Sequence, residues 1–291
     1  MDTTEITHLS LCSGYGGLDL GIKGVFGENV RTVAYAEIEA FAIECLLARM
    51  EGGQLDAAPI WPNLKSFPWQ AFSDRVDILS GGYPCQPFSA VGKRLGTKDP
   101  RHLWPFIANG IRIMRPKLCF FENVEGHITL GLSSVISDLE ELGYKVSWGI
   151  FSAREVGAPH QRKRVFILAH LRGTGLQRYW GLEQIGLERG RTLEGGHASS
   201  TSEFRIQTVA NKEWPTRPGE PQHEWEPPRQ VIPNAQPSVG RDFDGTASGM
   251  DYAELCVSCD NRHDELRLLG NGVVPATATK AFLTLLEDLI K

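Results

Sequence analysis

"LSLCSGYGGLDLG", residues 9 to 21, is the stretch on which the fold turns. Its first half closes the apolar run "ITHLSLC", residues 6 to 12, which reads as a buried strand. Its second half opens "GLDLGIKGVF", residues 17 to 26, whose apolar residues recur at helical spacing. Between them Gly14, Gly16 and Gly17 let the backbone turn tightly and approach a ligand, and the helix start offers free amide groups. The pattern is not a full dinucleotide fingerprint, because Asp19 stands at the third glycine position and no phosphate-loop lysine follows. Taken alone, the glycines also suit a plain tight turn.

The same alternation continues outward. "TVAYAEI", "DILSGG", "LCFFENV", "VSWGIFSA" and "VFILAH" read as strands, and "EAFAIECLLARM", "LWPFIANGIRIMR" and "LSSVISDLEELG" as amphipathic helices. Strand and helix in alternation predict a parallel sheet covered on both faces. Composition shifts near residue 171. From 171 to 240 there are nine glycines and seven prolines, eight basic residues balance eight acidic ones, and sustained periodicity is lost. After "ELRLLGNGVVP" the tail "ATATKAFLTLLEDLIK" is helical again, with Val274, Ala278, Phe282, Leu285 and Leu289 on one stripe that needs the first part of the chain as its partner.

With 291 residues, 41% of them hydrophobic, the chain is long enough for a large domain and a smaller one. It has no long apolar span and no signal-peptide pattern, so a soluble cytoplasmic protein with no membrane partner is expected. Six scattered cysteines in a chain of this size predict free thiols in a reducing compartment. The net charge of −5 hides two basic segments, Lys93 to Arg101 and Arg154 to Arg172, which are either solvated loops or a surface for nucleic acid.

Chemistry concentrates at predicted strand ends. In "LSGGYPCQPFS", residues 79 to 89, prolines on both sides of Cys85 exclude helix and central strand, which leaves Cys85 on a stiff loop after the strand "VDIL". Ligands in open α/β sheets collect at that edge. Glu37 ends another strand, where a carboxylate suits ribose hydroxyls or simply starts a helix. Glu122 ends "LCFF", where burial raises an acid's pKa and makes it a proton donor; a helix-start charge is the alternative. Arg162 and Arg164, two apart before "VFILAH", are expected on one face of an extended segment, where their guanidiniums suit a base carbonyl or phosphate. Cys256, Cys259 and His263 space like part of a zinc site, but no second ligand pair follows, so no metal is expected.

These pieces, in this order, resemble the DNA cytosine C5-methyltransferases over residues 7 to 170 and about 240 to 290. "CSGYGGLDLG" is similar to the family's S-adenosylmethionine loop, "GGYPCQPFS" to its nucleophile loop, "ENV" to its acid motif and "LLGNGVVP" to its C-terminal cofactor motif. The resemblance implies a Rossmann-like α/β S-adenosylmethionine-dependent methyltransferase domain with a mostly parallel sheet, formed by residues 1–170 and 241–291. A small irregular target-recognition domain would occupy 171–240 and, being short, would read a short site. The implied activity is methyl transfer from S-adenosyl-L-methionine to C5 of a flipped cytosine in double-stranded DNA.

By the same resemblance Cys85 is the nucleophile, Glu122 engages cytosine N3, Arg164 contacts the ring carbonyl and Arg162 supports that site and a phosphate. The implied cofactor residues are Ser13, Gly14, Tyr15, Gly16, Gly17, Glu37, Ile38, Asn63, Leu64, Pro84, Leu103, Asn271 and Val273. Glu37 would take the ribose, Asn63 and Leu103 would flank the adenine, and Asn271 with Val273 would close the methionine end. The sequence departs from the family at His160, where a glutamine is usual, and at Asn63, where an aspartate is usual. A monomer is expected, in a bacterial or phage-infected cell, with a cognate restriction endonuclease as a functional partner. One rival is a transfer-RNA cytosine C5-methyltransferase, but the cysteine-phenylalanine-threonine tripeptide of that group is absent. Another is a catalytically silent DNA-binding relative, against which the intact Cys85, Glu122 and Arg164 speak.

Overall fold

The computed structural model describes residues 5–84, 103–174 and 262–290. Their elements are β1 (Ile6–Leu11), α1 (Gly17–Phe26), β2 (Val30–Ala36), α2 (Ala40–Glu51), β3 (Ile60–Trp61), β4 (Ile78–Gly81), α3 (Trp104–Met114), β5 (Leu118–Val124), α4 (His127–Leu130), α5 (Leu132–Glu141), β6 (Tyr144–Phe151), β7 (Arg164–Leu171), α6 (Arg262–Asn271) and α7 (Pro275–Ile290). The expected strands and helices form within a few residues of their expected limits. Two-residue β3 is an addition, too short to leave a periodicity.

The strands make one mixed sheet in the order β3-β2-β1-β4-β5-β7-β6. β1 to β5 are parallel, while β7 runs antiparallel between β5 and β6. Strand order reverses direction between β1 and β4, so the carboxyl ends of these two strands flank the crevice where such sheets take ligands. β4 is buried throughout and β5 through Asn123, as parallel strands covered on both faces must be.

One face packs Leu79, Phe121 and Ile167 against Ile107 and Leu139 from α3 and α5. The other packs Ile78, Phe120 and Phe166 against Ile22 and Val25 of α1 and Phe282 and Leu286 of α7. The tail stripe finds its expected partner: Val274, Ala278, Phe282, Leu285 and Leu289 are all buried, with α7 lying against α1, β6 and β7. Lys145 on β6 donates to the Leu289 carbonyl at 2.8 Å, satisfying an orphan acceptor at the end of α7.

Asp19 turns out to be structural. It is buried behind the glycine turn, where Ser10 Oγ donates to its Oδ2 at 2.9 Å, and burial pushes its pKa up to about 7. The neighbouring His8 ring bridges the Thr32 and Ser80 hydroxyls at 2.9 and 2.8 Å. These hydrogen bonds tie α1 to β1, β2 and β4, while Asp19 Oδ1 accepts none among the described residues.

β7 runs one residue past 170. Beyond Thr174, the region expected to recognise the target lies outside the described residues, as do Cys256 and Cys259. Among the described residues no helix is long and apolar enough to cross a membrane.

The docking of α7 is open to test. Phe282 is fully buried and meets the rings of Phe26 and Phe120 at 5.5 and 5.0 Å, edge on. Phe282→Ala should cost about 3–5 kcal/mol, read as a lower midpoint of denaturant unfolding. An unchanged midpoint would detach α7 from this core.

Candidate active site

The parallel strands deliver their following residues to one edge. After β1 the chain turns through Ser13 to Gly17, and Gly16, at φ 84°, takes the left-handed conformation that starts α1. Ser13 Oγ donates to the Ser10 carbonyl at 3.2 Å, and the Gly14 amide donates to Glu37 Oε2 at 2.8 Å. Glu37 Oε1 accepts the Ile38 and Glu39 amides at 2.7 and 2.9 Å. The buried carboxylate thus ties the glycine turn to the end of β2. Three of its roughly four lone pairs are used, leaving one on Oε2. Beside it Ile38 is 71% exposed, an apolar side chain held at the rim.

After β3, Asn63 Oδ1 accepts the Lys65 amide at 3.0 Å and caps the turn Leu64–Ser66. Asn63 is exposed and Leu64 buried. Leu103 precedes α3 and packs on the core.

The C-terminal segment closes over the glycine turn. The buried Tyr15 hydroxyl donates to the Val273 carbonyl, which lies so near Gly17 that no side chain fits there. Tyr15 packs with Ala42, Cys45 and Leu268, and the Arg49 guanidinium sits 5.4 Å from its ring centre. Asn271, exposed, ends α6.

Glu122 is buried at the carboxyl end of β5, with Arg164 Nε 3.0 Å from its Oε1. Antiparallel pairing explains the meeting. β7 begins where β5 ends, with Arg164 opposite Val124 and Phe166 opposite Glu122, so Arg164 and Glu122 are diagonal neighbours on one face. Burial pushes the Glu122 pKa up to about 7, against the opposing pull of Arg164 and then Arg162.

Arg162 corrects the expectation of an extended pair. Its φ is 37°, left-handed, so the two arginines do not simply alternate along a strand. Its Nη2 donates to the carbonyls of Leu269, Gly270 and Gly272 at 2.7, 3.0 and 2.6 Å, while Arg164 Nη2 lies 3.5 Å from the Gly270 carbonyl. These interactions join the β7 start to the C-terminal segment.

β4 leads to Pro84, exposed, and then to Cys85, which lies outside the described residues together with Lys93, Arg94, Lys98 and Arg101. The two glycines ahead of it are matched to their neighbours: a Cβ on Gly81 would stand 3.0 Å from the Leu11 carbonyl oxygen, and one on Gly82 3.2 Å from Glu122 Oε2. The root of the Cys85 segment therefore passes against the buried acid.

Sequence reasoning missed Tyr83, Asn123 and His127. Asn123 Nδ2 donates to the Tyr83 carbonyl at 3.0 Å, and the Tyr83 hydroxyl shares a hydrogen bond with His127 Nε2 at 3.0 Å. Asn123 was signalled by its place beside Glu122. Nothing local marked His127, whose partner is 44 residues away.

Among the described residues, the Cys12 and Cys119 thiols are poor nucleophiles. Burial pushes the Cys12 pKa up to about 12 and that of Cys119 higher still. Among the described residues no group of three or more His, Cys, Asp or Glu side chains is placed to hold a metal ion.

Residues 6–223 match the model of the family described as C-5 cytosine-specific DNA methylase. Among curated relatives, the Type II methyltransferase M.NgoBV of Neisseria gonorrhoeae is 41% identical over 183 residues, covering 58% of this chain and 42% of that protein. The Type II methyltransferase M1.ScrFI of Lactococcus lactis subsp. cremoris is 35% identical over 171 residues, covering 57% of this chain and 42% of that one. The match thus spans less than half the length of these relatives. Among solved structures, the Entamoeba histolytica methyltransferase EhMeth shares the fold with a TM-score of 0.63 at 15% identity, over 99% of each chain. With a family match from β1 past the end of β7, and with the parallel sheet and glycine turn that such a match requires, this chain belongs to the C-5 cytosine-specific DNA methylase family.

Proposed function

We propose that this chain transfers a methyl group from S-adenosyl-L-methionine to C5 of a specific cytosine in double-stranded DNA. The observation that carries the reading is the buried Glu122, braced by Arg164 and touching the backbone that leads to Cys85. An acid, a fixed guanidinium and a thiol at one strand edge suit a ring that is attacked at carbon while its nitrogen is protonated.

The residues fit the cofactor. The remaining Glu37 lone pair suits a ribose hydroxyl, the exposed Ile38 and the Asn63–Leu64 turn suit a purine, and no atom lies within 4 Å of where a Cβ on Gly14 would stand. Ser13, Tyr15, Gly16, Gly17 and Pro84 would shape the rest of the wall, Leu103 would border the adenine, and Asn271 with Val273 would close the methionine end. When bound, S-adenosyl-L-methionine supplies a sulfonium methyl as the electrophile.

Cys85 adds as thiolate to C6 of the extruded cytosine, forming a carbon–sulfur bond. Glu122 donates its proton to N3, so the displaced electron pair is delivered to C5 as an enamine nucleophile. Arg164 holds the ring carbonyl and keeps Glu122 oriented. Once C5 carries the methyl, a water takes the C5 proton, the Cys85 thiolate leaves to restore the double bond, and N3 returns its proton to Glu122. The base must leave the stack for this chemistry, at a cost of a few kcal/mol. Arg162 holds the C-terminal segment against the site, and the same guanidinium supports the nearby phosphate.

Residues 171–240 serve as the target-recognition region, and 1–170 with 241–291 as the catalytic domain. The protein works as a monomer on DNA in the cytoplasm, paired in function with a restriction endonuclease, as expected of Type II modification.

Three measurements test this. Glu37→Ala should weaken S-adenosyl-L-methionine binding by about 10- to 100-fold, from charge-assisted bonds worth roughly 1.5–3 kcal/mol; unchanged affinity by calorimetry removes Glu37 from the cofactor site. Glu122 donates only while protonated, the form that dominates below about pH 7. The alkaline limb of kcat/KM should therefore fall through about 7, and Glu122→Gln should abolish that limb with most of the turnover. DNA carrying 5-fluorocytosine should trap the enzyme covalently, because fluorine does not leave as the C5 proton does. The adduct should require S-adenosyl-L-methionine and vanish in Cys85→Ser; an adduct that survives the substitution places the nucleophile elsewhere.

A further inference from the structure

Tyr83 stands two residues before Cys85, and its contacts exceed what packing requires. Its ring lies among Trp104, Phe121 and the edge-on imidazole of His127, with centroids 5.3, 5.8 and 5.6 Å away. Its hydroxyl meets His127 Nε2 at 3.0 Å, and its carbonyl accepts the Asn123 amide at 3.0 Å. Tyr83, Asn123 and His127 are all buried. The contacts thus hold both ends of one residue, main chain and ring tip, to β5 and to the short helix α4 that follows it.

A phenylalanine against a leucine would fill this volume without burying two polar groups. A hydrogen bond here adds only about 1 kcal/mol net, whereas a buried group left unpaired costs about 1–3 kcal/mol. What the polar pair adds is direction, since apolar packing does not fix how far the ring reaches, and a bond from its tip does. Burial also holds the imidazole neutral, with its pKa lowered to about 4, so the bond persists across the neutral range.

We propose that Tyr83 and His127 are a positioning pair whose buried hydrogen bond, with the Asn123 grip on the Tyr83 carbonyl, sets where the chain leaves β4 toward Cys85 and so the rate at which Cys85 adds to the base. The proposal rests on Cys85 being the nucleophile. It makes β5 and α4 a single bracket: the strand that presents Glu122 also fixes the root of the Cys85 segment. Acid and thiol would then share one support.

The test compares wild type, Tyr83→Phe, His127→Leu, the double variant and His127→Gln. Each is measured for thermal midpoint, for S-adenosyl-L-methionine affinity by calorimetry, and for the single-turnover rate of covalent trapping on duplex DNA with 5-fluorocytosine at every cytosine. Both single variants should trap about 10- to 100-fold more slowly, the scale of a misplaced reacting group, with cofactor affinity within about twofold. The double variant should recover midpoint, having no unpaired buried group, yet stay as slow as the slower single variant. His127→Gln, which offers the hydroxyl an amide partner, should regain part of the rate. Trapping at the wild-type rate in the soluble variants, or recovery of rate together with midpoint in the double variant, would reduce the pair to packing and overturn the proposal. Failure of wild type itself to trap would instead strike the methyltransferase reading, and the proposal would fall with it.

Discussion

Removing the Glu122 carboxyl from water is the costly act around which this site is arranged. A lone buried carboxylate is penalised by several kcal/mol, and the fold offsets this in two ways at once. Arg164 lies 3.0 Å away, and the burial that remains uncompensated pushes the pKa up to about 7. Stronger pairing would have left an ionised acceptor, and no pairing a plain neutral acid with free orientation. The intermediate balance gives a proton that is held in place and is labile near neutrality. It depends on β7 running antiparallel, because only a strand that starts at the carboxyl edge brings its first residue, Arg164, beside the end of β5.

A second consequence is that the C-terminal segment must return. Its carbonyls at Leu269, Gly270 and Gly272 gather the Arg162 guanidinium, and its Val273 carbonyl takes the Tyr15 hydroxyl. One short segment therefore braces the edge that carries Glu122 and Arg164 and the glycine turn together. The burial of α7 against α1, β6 and β7 supplies the apolar area that holds it there.

Much of this was legible from residue patterns, and for definable reasons. The strand, glycine turn and helix at residues 6 to 26 obey local rules of periodicity and sterics, so their limits agree closely with expectation. Glu122 was legible because a carboxyl that ends a wholly apolar strand must be buried. Arg162 was misjudged as part of an extended run because spacing by two is only suggestive where the chain has not yet entered the sheet; its left-handed φ sends the side chain to the C-terminal segment instead. Glu37 was read as a ribose acceptor, yet it also accepts three backbone amides, an obligation set by loop geometry that no residue pattern encodes. His127 was invisible for the same reason: its partner arrives through the sheet and not along the chain.

The glycine pair before the Cys85 segment then acquires a physical meaning beyond flexibility. Gly81 has the Leu11 carbonyl beside it and Gly82 the Glu122 carboxyl, each closer than an ordinary side-chain contact would allow. A methyl group at Gly82 would press on the Glu122 carboxyl, which would have to give by a few tenths of an ångström. Absent side chains at these positions let β4 hand the chain directly past Glu122, after which Tyr83 anchors inward through His127 and Asn123. Close approach and anchor succeed one another over three residues, 81 to 83. Under the proposed mechanism this gives the chain that leads to Cys85 a fixed point of departure beside the acid, because the carbonyl and the ring tip of the residue at that point are both held by the elements that present Glu122.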